Sequence, residues 1–359
     1  MNNAFRRTLT SVVLAASLAL TACASWDSPT ASSNGDLIEE IQASSTSTDP
    51  RTFTGLSIVE DIGDVVPVTD NASPALPVSL TDADGNDVVV EDVSRILPLD
   101  LYGTYSKTIA GLGLVDNIVG RTVSSTEPAL ADTEVVTTGG HTLNAEAILN
   151  LHPTLVIIDH SIGPREVIDQ IRAAGVATVI MSPQRSISSI GDDIRDIASV
   201  VGLPEEGEKL AERSVAEVEE ASTVVDELTP EDPLKMVFLY ARGTGGVFFI
   251  LGDAYGGRDL IEGLGGVDMA AEKGIIDLAP ANAEALAELN PDVFVMMSGG
   301  LVSTGGIDGL MERPGIAQTT AGQNQRVLAL PDGQSLAFGA QTGELLLRAS
   351  RELYVQGGE

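Results

Sequence analysis

Pro204 opens a stretch, Glu205–Leu228, of 24 residues rich in Glu, Ala and Val, with one early Gly and no internal Pro, and Pro230 with Pro233 closes it. Proline is tolerated in a first helical turn and cannot continue a helix, so the segment reads as one helix of about 36 Å at ~1.5 Å per residue. A rod of that length dictates what surrounds it. Upstream, the apolar runs Arg95–Leu99, Leu155–Ile158 and Ala177–Met181 alternate with the helical stretches Thr104–Leu112, Asn144–Leu151 and Ile168–Ala174. Downstream, the rhythm resumes with Leu234–Tyr240, Val247–Leu251, Arg258–Leu264, Ala283–Leu289 and Val293–Met297, and ends in a helix near Thr342–Tyr354. Strand–helix alternation is the signature of a mostly parallel sheet. The reading is an α/β chain of two lobes, residues 93–203 and 231–359, joined by the helix of residues 204–230. An internal echo relates the lobes: Asn144-Ala145-Glu146-Ala147 through His152-Pro153 aligns without gaps to Asn282-Ala283-Glu284-Ala285 through Asn290-Pro291, each followed by an apolar strand.

Before the lobes, Arg6 and Arg7 precede a run of about ten apolar residues, too short to span a ~30 Å hydrocarbon core, and then Leu20-Thr21-Ala22-Cys23. That tetrapeptide resembles the lipobox of bacterial lipoproteins, which makes residues 1–22 a signal peptide and Cys23 the lipidated N-terminus. Several acyl chains, at ~0.8 kcal/mol per buried CH₂, hold a protein stably to a membrane. Residues 23–50, rich in Ser, Thr, Ala and Asp without periodicity, read as a flexible tether. Residues 51–92 read as a β-hairpin extension in which Pro77–Thr81 and Val88–Val90 flank the turn Asp82-Ala83-Asp84-Gly85-Asn86.

Composition removes whole classes of function. The net charge of −32 repels phosphate backbones, so no nucleic-acid partner is expected, and 4% aromatic residues are too few for a stacking surface. Cys23 is the one cysteine, leaving neither a disulfide framework nor a CxxC site. There is no GxSxG elbow, HExxH or P-loop, and no enzymatic activity is expected.

The lipobox, the Asp-Gly hairpin, the strand Arg95-Ile96-Leu97-Pro98-Leu99, the segment Glu146–Ile157 and the long central helix together resemble the substrate-binding proteins of ABC importers for haem, siderophores and cobalamin. The resemblance spans residues 75–356. It implies a ligand cleft between the lobes, closure limited by the single connecting helix, and an ABC permease with its ATPase as partners. It also implies docking through one acidic residue on each lobe, for which Glu134 and Asp268 stand nearest the expected places.

Ligands of open α/β sheets bind beyond the carboxyl ends of the strands, which sorts the candidates by strand end. His152 precedes its strand and is assigned a structural role. His141, after Val135-Val136 and the turn Thr137-Thr138-Gly139-Gly140, lies on the cleft side, as does His160, which follows Leu155–Asp159. Tyr240 closes a strand of the other lobe. A planar cofactor with a central iron offers one axial position to each lobe, His141 supplying an imidazole nitrogen and Tyr240 a phenolate suited to Fe(III). A phenol ionises near pH ~10 in model compounds and needs help at neutral pH. Arg242, two residues on and on the same face of an extended strand, could favour the phenolate or pair with a haem propionate. This set is similar to the haem-binding lipoproteins of actinobacterial haem importers, in which a first-lobe histidine and a second-lobe tyrosine hold the iron beside an arginine. Many Gram-negative relatives use a first-lobe tyrosine, and Val135–Thr138 holds none. Tyr255, Ser298 and Arg121 are supporting candidates, with the neighbouring glycines reading equally as turn residues. The resemblance also implies other cell-surface haem-binding proteins as partners. A siderophore or cobalamin is the alternative cargo on the same scaffold; zinc or manganese, using His141 and His160, is a third.

Overall fold

The computed structural model describes residues 34–45 and 48–355; Cys23 and the signal segment lie outside them. The chain enters through α1 (Gly35–Ser44) and β1 (Leu56–Ile58), then forms a hairpin of β2 (Val78–Thr81) and β3 (Asp87–Val90). The first lobe comprises β4 (Ile96–Leu99), α2 (Thr104–Gly111), β5 (Gly120–Arg121), β6 (Glu134–Val135), β7 (Thr137–Thr138), β8 (Thr142–Leu143), α3 (Ala145–Asn150), β9 (Leu155–Ile158), α4 (Arg165–Ala173), β10 (Ala177–Ile180) and α5 (Ile190–Val200). The connecting helix α6 (Pro204–Leu228) has 25 residues. The second lobe comprises β11 (Lys235–Arg242), β12 (Val247–Ile250), α7 (Gly257–Gly263), β13 (Val267–Asp268), α8 (Met269–Glu272), β14 (Ala279–Pro280), α9 (Ala283–Leu289), β15 (Val293–Met297), α10 (Ser298–Ser303), α11 (Gly306–Met311), α12 (Thr320–Gln323), β16 (Val327–Leu330) and α13 (Thr342–Tyr354).

In the first lobe β10, β9 and β4 pair in parallel in that order. Every residue of β4 and β9 is buried, which is why both read as unbroken apolar runs: a parallel strand covered on both faces needs no polar alternation. In the second lobe the order is β1-β16-β15-β11-β12-β14, with β13 also on β11. The sheet is mixed, since β12 folds back antiparallel on β11. The repeated Asn-Ala-Glu-Ala segments become matched units: Asn144 caps α3 by accepting from the Ala147 N–H (3.1 Å), and Asn282 caps α9 by accepting from the Ala285 N–H (3.0 Å).

Among the described residues, three apolar clusters hold the fold. One lies on the outer face of each sheet, and the third runs from Ile96 and Leu155 of the first lobe through α5 and α6 to Phe238, Val295 and Leu346 of the second. Burial of Leu210, in the second turn of α6, contributes about 1.5–3 kcal/mol to this joint core. Glycines let α6 lie close to both lobes. A Cβ on Gly207 would strike Ala198 of α5, and one on Gly343 of α13 would sit 2.5 Å from the Glu217 carbonyl.

Two expectations for the N-terminal region need correction. The segment 23–50 contains a helix, because Leu37, Ile38 and Ile41 form an apolar stripe at helical spacing inside an otherwise polar composition. Ile41 is fully buried, and Glu40 pairs with Arg351 of α13 at 3.2 Å. The segment 51–92 is more than a hairpin, since β1 extends the second-lobe sheet beside β16, where Arg326 donates to Ser57 Oγ at 2.9 Å. Three residues are too few to show a period, so this strand was hidden. The hairpin forms as expected: the Asp82 carboxylate accepts from the N–H groups of Asp84 (3.1 Å) and Asn86 (2.8 Å).

Candidate ligand cleft

Side chains of a strand alternate between faces, and β11 divides its residues accordingly. Val237, Leu239 and Ala241 enter the outer cluster, while Met236, Phe238 and Tyr240 turn toward the first lobe. Tyr240 and Arg242 therefore share a face, and the Arg242 guanidinium lies over the Tyr240 ring, 4.9 Å from its centroid. Phe249 and Val247 of β12 stand opposite these two residues in register, adding an apolar wall. Beyond β11 the loop Gly243–Gly246 is fastened by Arg313, whose Nη2 donates to the Gly243 carbonyl at 2.6 Å while its guanidinium covers Phe248.

His141 sits in the turn of the β7–β8 hairpin, where Gly139 and Gly140 both take positive φ and leave the imidazole exposed. This hairpin joins the adjacent loop, for the Val123 N–H donates to Thr137 Oγ1 at 3.3 Å. Arg121 fixes that loop by donating to the Ser125 carbonyl (2.9 Å) and the Thr133 carbonyl (3.3 Å). Its role is to shape the loop, with those carbonyls occupying the guanidinium meant for ligand.

The carboxyl ends of β4 and β9 carry a buried polar network that the sequence analysis missed. Asp100, fully buried, accepts from the N–H groups of Tyr102 and Thr104, both at 3.1 Å, and so starts α2. Burial and then the Asp159 charge push its carboxyl above the usual range. Asp159 accepts from Tyr105 Oη (2.7 Å) and from Arg185. Burial works against the Arg185 charge, but Asp159 and Asp100 outweigh it and hold the guanidinium protonated. Arg185 also covers the Tyr102 ring at 4.2 Å. Burial raises the Tyr102 phenol most, against Arg185, and Tyr255 of the other lobe lies near enough to add to the effect. Thr104, Tyr105, Pro183, Arg185 and Asp193 line a small hollow with Leu336 and Phe338, so the two lobes meet here.

Other candidates are engaged in holding the fold. His160 follows β9 as expected, but its Nε2 is engaged 2.9 Å from Asp84 Oδ1 of the hairpin turn, because Asp84 and Arg165 form a charged clasp there. That hydrogen bond holds the Asp84 carboxyl below its ordinary range. Ser298 donates to the Leu330 carbonyl (3.0 Å), tying α10 to β16. Asp268 is only 3% exposed and caps α8 through the Ala270 N–H (2.8 Å), so it cannot dock a partner. Glu134 is exposed on β6. Among the described residues, no three His, Cys, Asp or Glu side chains gather to hold a bare metal ion. The residue most clearly missed is Asp332, whose Oδ2 accepts from Arg242 Nη2 at 2.9 Å. It stands two residues beyond β16, where the strand-end rule should have found it.

A family model described as periplasmic binding protein matches residues 100–333. No curated protein matches. Among solved structures, the R242A variant of the haem-binding protein HmuT is 99% identical, covers 90% of this chain and 100% of its own, and has a TM-score of 0.89. Unsubstituted HmuT is 99% identical over 86% of this chain and 100% of its own, with a TM-score of 0.85. The periplasmic haem-binding protein RhuT from Roseiflexus sp. RS-1, in its apo form, is 35% identical over 73% of this chain and 98% of its own, with a TM-score of 0.68. With the model spanning both lobes and these likenesses running through the long helix, the chain belongs to the periplasmic binding protein family.

Proposed function

We propose that this protein is an extracytoplasmic lipoprotein, anchored through Cys23, that captures ferric haem between its lobes and delivers it to an ABC permease. It is a carrier and not an enzyme, as its family is. The observation that carries the reading is the Tyr240–Arg242 stack at the carboxyl end of β11. A phenolate oxygen is a hard anionic donor for Fe(III), and the guanidinium over the ring places a positive charge beside it. His141, exposed on a glycine turn, offers the other axial donor, and Phe249 with Val247 gives the porphyrin an apolar wall. The haem-binding protein HmuT, 99% identical, supports the reading, and its solved forms include Y240A and H141A variants as well as R242A.

Docking calls for one exposed acidic group per lobe. The matched units supply Glu146 and Glu284, each exposed and each the second residue of its helix. A helix that precedes a parallel strand begins at that strand's carboxyl edge, the end on which a ligand cleft opens, and this supports both as docking residues beside the exposed Glu134 of the first lobe. A permease that grips both lobes would strain them apart against α6 and break one axial bond, releasing the haem.

The test is an absorbance titration of residues 24–359 with ferric haem, beside His141→Ala, Tyr240→Ala and a zinc control. A saturable Soret shift near one haem per chain, altered in both variants, is expected. No shift with the unsubstituted chain would refute the haem reading and favour a siderophore; tight zinc binding would favour a metal.

A further inference from the structure

We propose that Asp332 is the positioning residue for Arg242, orienting its guanidinium over the Tyr240 ring; the inference rests on the haem reading above. An arginine on a half-exposed strand end has many rotamers, and something must select the stacked one. Three acceptors hold it: Asp332 Oδ2 at 2.9 Å, the Ala241 carbonyl at 3.1 Å and Met297 Sδ at 3.3 Å. Only the first is charged, and charge-assisted hydrogen bonds are roughly twice as strong as neutral ones.

The surroundings are built for this pair. Gly299 donates its N–H to Asp332 Oδ1 at 2.6 Å, fixing the carboxylate. A Cβ on Gly299 would lie 2.9 Å from the Asp332 carboxylate, and one on Gly300 would lie 2.6 Å from Arg242 Nη1. Two consecutive glycines thus clear space for each partner. Asp332 is also placed by the first lobe, since its neighbour Gly333 packs against Thr126 and the Ser124 carbonyl. The same loop bonds the hairpin that carries His141. The carboxylate therefore orients the Tyr240 side of the site from a loop seated on the His141 side.

The experiment measures the rate of haem loss to an excess of apomyoglobin and the visible spectrum of the ferric complex, for the unsubstituted chain, Asp332→Ala, Asp332→Asn, Arg242→Ala and Asp332→Ala/Arg242→Ala. A charge 4.9 Å from the ring centroid is worth about fourfold in such a rate even at the dielectric of water, and more as the site is desolvated. Asp332→Ala should speed haem loss at least ~fourfold and shift the tyrosinate charge-transfer band as Arg242→Ala does. The double variant should be no worse than Arg242→Ala alone. Asp332→Asn, which keeps an acceptor of the same shape but not its charge, should recover both readouts only in part. A normal rate and band in Asp332→Ala, or additive losses in the double variant, would overturn the proposal. If Asp332→Ala does not fold, Asp332→Ser, which stays polar but is too short to hold the guanidinium, replaces it, and an unchanged rate and band there would overturn the proposal equally. Failure of the unsubstituted chain to bind haem would instead remove the reading on which the proposal rests.

Discussion

Gly343→Ala sets two well-characterised effects against each other at the contact between α13 and α6. Gly343 is the second residue of α13, where alanine is favoured over glycine by at most about 1 kcal/mol, which alone would stabilise the protein. The added Cβ, however, would lie 2.5 Å from both the carbonyl carbon and oxygen of Glu217, where ordinary contact begins at 3.4 Å. These are backbone atoms of a long helix and cannot turn aside, so the helices must part by about 0.9 Å. Overpacking of this kind costs about 1–3 kcal/mol, and an unyielding neighbour places the cost toward the top of that range. The net result is a loss of about 1–2 kcal/mol, or a fall in Tm of roughly 2–8 °C at about 2–4 °C per kcal/mol. Because α13 belongs to the second lobe, the same displacement should also misalign Tyr240 and weaken haem binding in a Soret titration. Gly35→Ala, at the first position of α1 where a Cβ meets nothing within 4 Å, is the control: the propensity gain is unopposed there, so Tm should stay level or rise slightly and haem binding should be unchanged. A Tm that rises in Gly343→Ala would refute the reasoning, since it would mean the propensity gain is not opposed by contact.

Two further outcomes can be checked. Burial pushes the Asp268 carboxyl up to about 6, against hydrogen bonds from Ala270 and Ala271. Because this folded value exceeds the unfolded 3.8, the group favours the fold below about pH 4 and loses that contribution as pH rises through 6. Asp268→Asn should therefore raise urea stability at pH 8 by up to about 3 kcal/mol, with the gain gone at pH 4; an equal effect at both pH values would contradict this. Glu146→Lys and Glu284→Lys should leave haem titration unchanged but abolish haem uptake into vesicles bearing the permease, and normal uptake in both would exclude them from docking.

The parts of the fold that announced themselves were those with long or repeated signals. The Pro204–Leu228 helix is visible because prolines bracket it, and the buried strands β9 and β15 because nothing polar interrupts them. Short elements carry no period, so β1 was unreadable, and the apolar stripe of α1 was diluted by its polar neighbours. Tyr240 and Arg242 could be placed on one face because two-residue alternation is a local rule. His160 and Ser298 sit at the right strand ends, but their partners, Asp84 and the Leu330 carbonyl, lie 76 and 32 residues away. No local rule reports a partner that distant. The same holds for Asp332, 90 residues from Arg242.

The docking of α1 against α13 changes how far the carrier can travel. From the proposed lipid-bearing Cys23 to Gly35 is a contour of about 43 Å at most, whereas a free chain to residue 50 would allow about 97 Å. The volume a body can sweep around a fixed point grows as the cube of that length, so the shorter leash confines it to about one-eleventh of the space. Any membrane partner within reach then meets the carrier at an effective concentration roughly eleven times higher. Ile41, by pinning one helix, thus acts on the frequency of encounter and not on the strength of any bond.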